Sequence, residues 1–238
     1  MAEIRTTYLQ LPFLFEPEFL LDDLQRALGE NWTPHFNTQG YKGGWKSVAL
    51  LAPDGNPQHI FAHYQDVSLK ETSVLRNCPY FQQILGHFNC PIVSARLLNL
   101  EVGAEILPHS DHELGYEDGT FRVHVPVTTN DLVEFILNGE ALRMLPGECW
   151  YTNVNYVHSV ANRGPSDRVH LVFDCLRNEW TDALFFSLAP EESFAPPPPA
   201  PISDSVKRQM LEELMRQDSP ASKEIIERLR SELRASEK

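Results

Sequence analysis

The sequence predicts a mainly β domain, an antiparallel sandwich or barrel, with a helical flank before it and a short helical appendage after it. The composition, 42% hydrophobic and 22% charged over 238 residues, is globular and excludes a disordered or collagenous chain. Short β-rich segments recur between turn signals in residues 94–175 without intervening helical patterns, which is typical of sandwiches and barrels. A proline-rich segment at 195–201 separates a tail of different composition.

The elements follow in order along the chain. A helix is predicted from Pro17 to Leu28, and a glycine-rich turn follows around residues 40–44. Glycine-containing turns, such as Asn138-Gly139, separate the strands of the β region. These strands are expected at Ser94–Leu100, Phe121–Thr128, Leu132–Leu137, Cys149–Thr152 and Arg168–Cys175.

Residues 1–194 are expected to form the β domain, residues 195–202 a proline-rich linker, and residues 203–238 a helical hairpin. A run of prolines favours an extended segment that continues neither a sheet nor a helix. Ser219 and Pro220 are suited to begin the second helix. We expect this hairpin to dock or to form a homodimer, without a catalytic role. Its two apolar stripes at helical spacing are Val206, Met210, Leu211 and Leu214, then Ile225, Ile226, Leu229 and Leu233.

The charge balance and the cysteines exclude several classes of protein. With 20 basic and 33 acidic side chains the chain has a net charge of −13, which disfavours nucleic acid or an anionic membrane surface as a partner. No apolar run approaches the roughly 18 residues of a membrane-spanning helix. The four cysteines lack CxxC spacing, which excludes a zinc ribbon. Since the first residues do not resemble a secretory signal, we expect a cytoplasmic protein.

Two histidines and an aspartate have the spacing of a metal site. His109 and Asp111 lie two residues apart on an extended segment, so their side chains point to the same face. His158, further along the chain, can complete a set of two histidines and one carboxylate. Such a set leaves three coordination positions open, as Fe(II) requires to hold a co-substrate and O₂. A surface loop with an unrelated distant histidine is the alternative interpretation.

Two predicted strands each place an arginine and a histidine on one face. Arg168 and His170 alternate with apolar residues in RVHLVFDC, and Arg122 and His124 do so in TFRVHVPV. An arginine on the inner face of an apolar strand is costly unless a carboxylate meets its guanidinium. The pattern indicates a cavity for a small polyacid, and a salt bridge to an acid of the protein is the alternative for each arginine. His35 is interpreted as a structural or solvated histidine.

Five segments, in order and with compatible spacing, resemble the aspartyl/asparaginyl β-hydroxylase family, whose members include proline 3-hydroxylase-like enzymes. They are GGWKSVALL, RLLNLEVGAEILPHSD, FRVHVPVTTN, MLPGECWYTNVNYVHSVAN and RVHLVFD, within residues 40–175. Members of this family are Fe(II)/2-oxoglutarate oxygenases with a double-stranded β-helix fold, which is a jelly-roll or cupin-like fold. The resemblance implies this fold, with Fe(II), 2-oxoglutarate as co-substrate and O₂. It also implies that His109, Asp111 and His158 are the iron ligands.

The resemblance implies roles for further residues. Arg168 corresponds to the arginine that holds the distal carboxylate of 2-oxoglutarate, and His124 to a histidine that contacts 2-oxoglutarate. Arg122 corresponds to an arginine that can hold a substrate carboxylate. The bacterial members that act on small molecules also place a serine on the strand before the His-x-Asp motif, to help hold 2-oxoglutarate, and this chain has Leu98 at that position, so the resemblance does not supply this contact.

The function expected from these residues is hydroxylation of an amino acid or a related small carboxylate. No catalytic residue beyond the metal ligands is expected. A hydroxylase of a peptidyl Asp or Asn, or of a carrier-tethered residue, is the first alternative. A non-catalytic metal-binding jelly-roll module is the second, and a cupin-type metal-dependent hydrolase or isomerase is the third.

Overall fold

Two antiparallel sheets form the fold in the computed structural model, which describes residues 5–61, 68–196, 204–217, 226–227, 229–231 and 233–234. The large sheet contains eight strands: β1 (Tyr8–Leu14), β2 (Thr33–Pro34), β4 (Trp45–Ala52), β5 (Lys70–Glu71), β6 (Ile92–Leu100), β8 (Thr120–Thr128), β11 (Glu148–Thr152) and β13 (Arg168–Leu176). The small sheet contains five: β3 (Tyr41–Lys42), β7 (Glu105–His109), β9 (Val133–Leu137), β10 (Glu140–Leu142) and β12 (His158–Asn162).

From β6 onwards the chain passes back and forth between the two sheets. In the large sheet the neighbours are β11-β8-β13-β6, with β1 outside β11 and with β4 and β2 outside β6. In the small sheet the order is β10-β9-β12-β7-β3. Apart from the β9–β10 hairpin, successive strands from β6 to β13 alternate between two facing antiparallel sheets, so the chain forms a jelly roll and the predicted double-stranded β-helix is confirmed.

The central strands of the large sheet carry different side chains on their two faces. On β13, Val169, Leu171 and Phe173 join the main apolar core, whereas Arg168 and His170 alternate with them and point the opposite way. Apolar side chains of both sheets, such as Leu100 and Val160, form a second core between the sheets. Since both faces of β13 are covered, all but its last residue are buried.

Helices cover the face of the large sheet that is turned away from the small sheet. Their apolar residues, such as Leu20 and Phe81, belong to the main core. The buried carboxylate of Asp23 accepts hydrogen bonds from the backbone N–H groups of Tyr80 and Phe81, at 2.7 and 2.9 Å, and so places a negative charge at a helix N-terminus. The helices are α1 (Pro17–Ala27), α2 (Ser73–Arg76), α3 (Pro79–Gly86) and α4 (Glu179–Phe186).

The predicted elements of this domain are confirmed with small shifts at their ends. The first helix ends at Ala27, and the five predicted strands correspond to β6, β8, β9, β11 and β13. Asn138 and Gly139 both have positive φ, 51° and 82°, and make the tight hairpin between β9 and β10. The sequence did not predict β1, β4, β7 or β12, because a short apolar run such as that of β4 does not distinguish a strand from a helix.

The chain divides into two compact units, residues 1–197 and 198–238. In the second unit, α5 spans Asp204–Gln217 and contains the first predicted apolar stripe. Most of the proline-rich linker, together with Ser219 and Pro220, lies outside the described residues, so the linker and the hairpin stay predictions. Among the residues that the structure describes, none of the helices is both long enough and apolar enough to cross a membrane.

Candidate active site

Strand pairing in the small sheet brings the predicted metal ligands together. His109 ends β7, and His158 begins β12 directly opposite it in the register of the two strands. Asp111 follows β7 by two residues. The three side chains, here named the metal triad, offer ligand atoms that lie within 4.8 Å of one another.

Hydrogen bonds fix the orientation of both imidazoles. Nδ1 of His109 lies 2.8 Å from the carbonyl oxygen of Leu107, and Nδ1 of His158 lies 3.1 Å from that of Tyr156. Because a carbonyl oxygen only accepts, each Nδ1 carries the hydrogen and each Nε2 presents its lone pair. Nε2 of His109 lies 3.8 Å from Oδ1 of Asp111. The donor set is therefore two imidazole nitrogens and one carboxylate oxygen.

The protonation states of the triad suit a metal. Burial, followed by the neighbouring His109, lowers the pKa of His158 to about 4, so its imidazole is neutral at pH 7. Burial opposes ionisation of Asp111, but the positive charge of Arg122 lowers its pKa overall. Since metals bind neutral imidazoles and ionised carboxylates, His158 and Asp111 need no large rearrangement of protons to bind one.

The triad lines a cavity of about 450 Å³ between the two sheets. His124 and Arg168 line its inner part from β8 and β13, together with the ring of Phe135. Phe36 and Phe61 also line it and are more than half exposed, at 61% and 52%. The cavity is thus a concave site with apolar walls and a few converging polar groups, as ligand sites usually are.

Arg168 is a buried cation without a carboxylate partner among the described residues. Its side chain is 2% exposed, and its Nε has no hydrogen-bond partner. Nη2 lies 2.9 Å from Nδ1 of His170, and the guanidinium lies 5.8 Å from the centre of the Phe135 ring. Burial lowers the pKa of Arg168 to about 9, which still leaves it charged at neutral pH. An anion that enters the cavity would supply the missing counter-charge.

His124 is also buried and has no hydrogen-bond partner for its side chain among the described residues. Both of its ring nitrogens lack a hydrogen-bond partner, and burial, followed by the charge of Arg168, lowers its pKa well below the usual value. A neutral imidazole in this position has one N–H to donate and one lone pair with which to accept. Buried polar atoms without partners indicate an absent ligand or water.

Arg122, by contrast, has two carboxylate partners within the protein. Its Nε and Nη2 donate to the two oxygens of Asp174 at 2.7 and 3.1 Å, and its Nη1 donates to Oδ2 of Asp111 at 2.7 Å. Sequence reasoning missed Asp174, although its position in RVHLVFDC, six residues after Arg168, places it on the same face.

The environment of His35 differs from the sequence expectation, whereas that of Leu98 agrees with it. His35, interpreted from the sequence as structural or solvated, lines the cavity and stacks on Trp45 with ring centroids 3.5 Å apart. Burial, followed by the charge of Arg96, lowers the pKa of His35 to about 4. Leu98 lines the cavity with an apolar side chain, in agreement with the absence of a hydroxyl there.

Comparison with known proteins finds a family whose profile matches most of the chain. The profile of the aspartyl/asparaginyl beta-hydroxylase family matches residues 18–178. The chain is 25% identical over 134 residues to an L-proline cis-4-hydroxylase of Rhizobium meliloti (strain 1021), covering 56% of this chain and 48% of that protein. It is 28% identical over 137 residues to L-proline cis-3-hydroxylase 2 of a Streptomyces species, covering 56% and 47%.

These matches span about half the length of the curated relatives. The solved structure of a 2OG-Fe(II) oxygenase family oxidoreductase from Burkholderia pseudomallei superposes with a TM-score of 0.50 at 14% identity, covering 72% of this chain and 86% of that one. At this identity the likeness concerns the fold alone, and it agrees with the double-stranded β-helix described above. Because the family profile extends over most of the β domain, including every residue of the metal triad, the chain belongs to the aspartyl/asparaginyl β-hydroxylase family.

Proposed function

We propose that this protein is an Fe(II)/2-oxoglutarate-dependent hydroxylase of an amino acid or a related small carboxylate. One observation carries the proposal: a buried arginine that has no carboxylate partner in the described part of the chain lines the same cavity as a cluster of two histidines and one aspartate. The first feature suits a dianionic co-substrate, and the second suits a divalent metal. The family and the proline hydroxylases among its relatives support the same reaction class.

His109, Asp111 and His158 would hold the Fe(II). Two histidines and a carboxylate occupy one face of an octahedron, and this is the donor set of non-haem Fe(II) oxygenases. Fe(II) bound there supplies the oxidation of a C–H bond by O₂, coupled to conversion of 2-oxoglutarate into succinate and CO₂. The chain's part is to fix the ligands, and the carbonyl acceptors on both Nδ1 atoms do this.

Arg168 and His124 would bind 2-oxoglutarate. The guanidinium of Arg168 pairs with the C5 carboxylate, since a planar fork with an unpartnered Nε matches a carboxylate edge. The unpartnered ring of His124 donates one hydrogen bond to the same molecule. His170 accepts from Arg168, and Phe135 covers the guanidinium, so both hold it in place and keep water from it.

Arg122 would contact the carboxylate of the substrate. It lines the cavity and carries a positive charge, which supports this role. A substrate carboxylate would have to share the guanidinium of Arg122 with Asp111 and Asp174. The exposed rings of Phe36 and Phe61 at the cavity would contact the apolar part of the substrate.

The compartment and the partners are proposals of the same kind. All four cysteines are free thiols, which supports a reducing compartment such as the cytoplasm. We propose a small molecule as the substrate, and the net charge of −13 argues against nucleic acid. The apolar stripe of α5 supports a homodimer through the C-terminal helices.

An anaerobic titration tests the proposed function. Adding Fe(II) and then 2-oxoglutarate should produce a weak metal-to-ligand charge-transfer band in the visible region, and the His158→Ala variant should not show it. A panel of amino acids, with proline among them, is then screened for succinate release in the presence of O₂. Succinate release that depends on Fe(II) and O₂ supports the hydroxylase, whereas ligand binding without any turnover would favour a non-catalytic jelly-roll module. Turnover of a substrate without O₂ would favour a hydrolase or isomerase.

A further inference from the structure

Asp174 is a fully buried carboxylate that contacts the cavity wall but has no role in the proposed reaction. It lies on β13 directly opposite Arg122 of β8 in the strand register. Its two oxygens accept from Nε and Nη2 of Arg122 at 2.7 and 3.1 Å, so the pair is bidentate. Nη2 of Arg96, on the neighbouring strand β6, lies 3.5 Å from Oδ2 of Asp174. A bidentate pair of this kind fixes the plane of the guanidinium.

The same guanidinium reaches the metal triad. Its third donor, Nη1, donates to Oδ2 of Asp111 at 2.7 Å. The other oxygen, Oδ1, is the one that lies 3.8 Å from Nε2 of His109. Arg122 thus occupies one oxygen of Asp111 and leaves the other on the side of the histidines. Charges of alternating sign therefore run from Asp174 through Arg122 to Asp111.

We propose that Asp174 is a positioning residue for the metal site and acts through Arg122. It holds the guanidinium so that Oδ2 of Asp111 is occupied while Oδ1 is presented to the metal. It also compensates the charge of Arg122, because without Asp174 this cation would compete with a divalent metal for the single carboxylate of the triad. The inference rests on the proposed function, since it assumes that the triad binds a metal.

Titration of Co(II) into the metal-free protein tests this role. The Asp174→Asn variant should bind Co(II) about 10- to 100-fold more weakly than the wild type, as is typical when an outer partner of a metal ligand is lost. Its Co(II) absorption bands should also change, because the orientation of Asp111 changes. Asp23→Asn is the matched control: Asp23 is equally buried and pairs with Arg26, but it lies on α1 away from the cavity. It should lower stability and leave Co(II) affinity unchanged.

A second pair of variants separates positioning from general damage. If Asp174 acts through Arg122, then Arg122→Met and the double variant Arg122→Met/Asp174→Asn should bind Co(II) equally well. This comparison remains possible even if the single Asp174→Asn variant does not fold. In that variant the buried charge of Arg122 is left uncompensated, whereas the double variant no longer contains this charge.

Two results would overturn the inference. One is wild-type Co(II) affinity in Asp174→Asn, and the other is a double variant that binds Co(II) more than about 10-fold more weakly than Arg122→Met. The Asp111→Ala variant distinguishes a failure of the role proposed for Asp174 from a failure of the proposed function. If Asp111→Ala binds Co(II) like the wild type, the metal site itself is wrong and both proposals fail. If it loses Co(II) while Asp174→Asn does not, only the role of Asp174 fails.

Discussion

Replacement of Arg168 by methionine should raise the stability of the free protein and weaken 2-oxoglutarate binding. Burial lowers the pKa of Arg168 from 12.5 to about 9. At about 1.4 kcal/mol per pH unit, this corresponds to an unfavourable free energy of about 5 kcal/mol for a charged guanidinium in the unliganded cavity. The cost is present at every pH below about 9 and is relieved only as the pH rises above it, so it applies in full at pH 7.

The contacts of Arg168 offset part of this cost. Its hydrogen bond to His170 and its position beside the Phe135 ring are together worth about 2–4 kcal/mol. Methionine loses these contacts but fills a similar volume without a charge, so we expect the free energy of unfolding to increase by about 1–3 kcal/mol. Urea unfolding of the metal-free protein, without 2-oxoglutarate, measures this change.

Binding should change in the opposite direction. Loss of one partner of a desolvated charge pair costs about 2–4 kcal/mol, so Arg168→Met should bind 2-oxoglutarate roughly 30- to 1000-fold more weakly. Arg168→Lys should recover only part of the affinity, because the bidentate fork is lost. Isothermal titration calorimetry of 2-oxoglutarate into Mn(II)-loaded protein without O₂ gives both affinities.

Arg163→Met is the control for these measurements. Arg163 is exposed and pairs with Glu105 and Glu134 on the small sheet, so its loss should change neither 2-oxoglutarate affinity nor stability by much. Wild-type 2-oxoglutarate affinity in Arg168→Met would refute the assigned role. A Met variant that is clearly less stable than the wild type would refute the argument that Arg168 is an uncompensated buried charge.

Four further predictions concern the rest of the site and the tail. Alanine at any position of the metal triad should abolish stoichiometric Fe(II) binding but leave cooperative unfolding, and full Fe(II) occupancy in two such variants would contradict the triad. Arg122→Ala should keep near-normal 2-oxoglutarate affinity and lose substrate-stimulated succinate release; if it loses 2-oxoglutarate instead, its role and that of Arg168 are exchanged. Burial holds the pKa of His124 far below that of an unfolded histidine, so the metal-free protein should lose stability as the pH falls below about 6.5. This residue should contribute up to about 1.4 kcal/mol per pH unit to the loss. Urea unfolding at pH 5 and pH 7 should show a smaller loss of stability in the His124→Leu variant. A chain that lacks residues 203–238 should bind Fe(II) and 2-oxoglutarate normally, and light scattering will show whether its oligomeric state changes. If the truncated chain folds but does not bind 2-oxoglutarate, the tail contributes to the site.

Local patterns in the sequence were sufficient to predict which side chains share a face of a single strand. Alternation along β13 places Arg168 and His170 on the face opposite Leu171 and Phe173, and the structure has them so. The two-residue spacing of the His-x-Asp motif likewise brings its members to one site. His158 lies opposite His109 because β12 pairs with β7, although the two histidines are 49 residues apart in the sequence, and the sequence pattern alone does not contain this pairing.

The difference between the two arginines depends on the same kind of non-local information. Both alternate with apolar residues, so the sequence allowed each either a ligand or a protein carboxylate as its partner. In the structure Arg122 pairs across the strands with Asp174, whereas Arg168, at the start of β13, faces Leu100 of β6. The strand register therefore decides that one guanidinium is satisfied within the protein and the other is not. A cation left uncompensated in this way destabilises the free protein, and the cost is recovered only when an anion binds. The buried charge of Arg168 is thus the feature of this fold that most directly favours an anionic ligand.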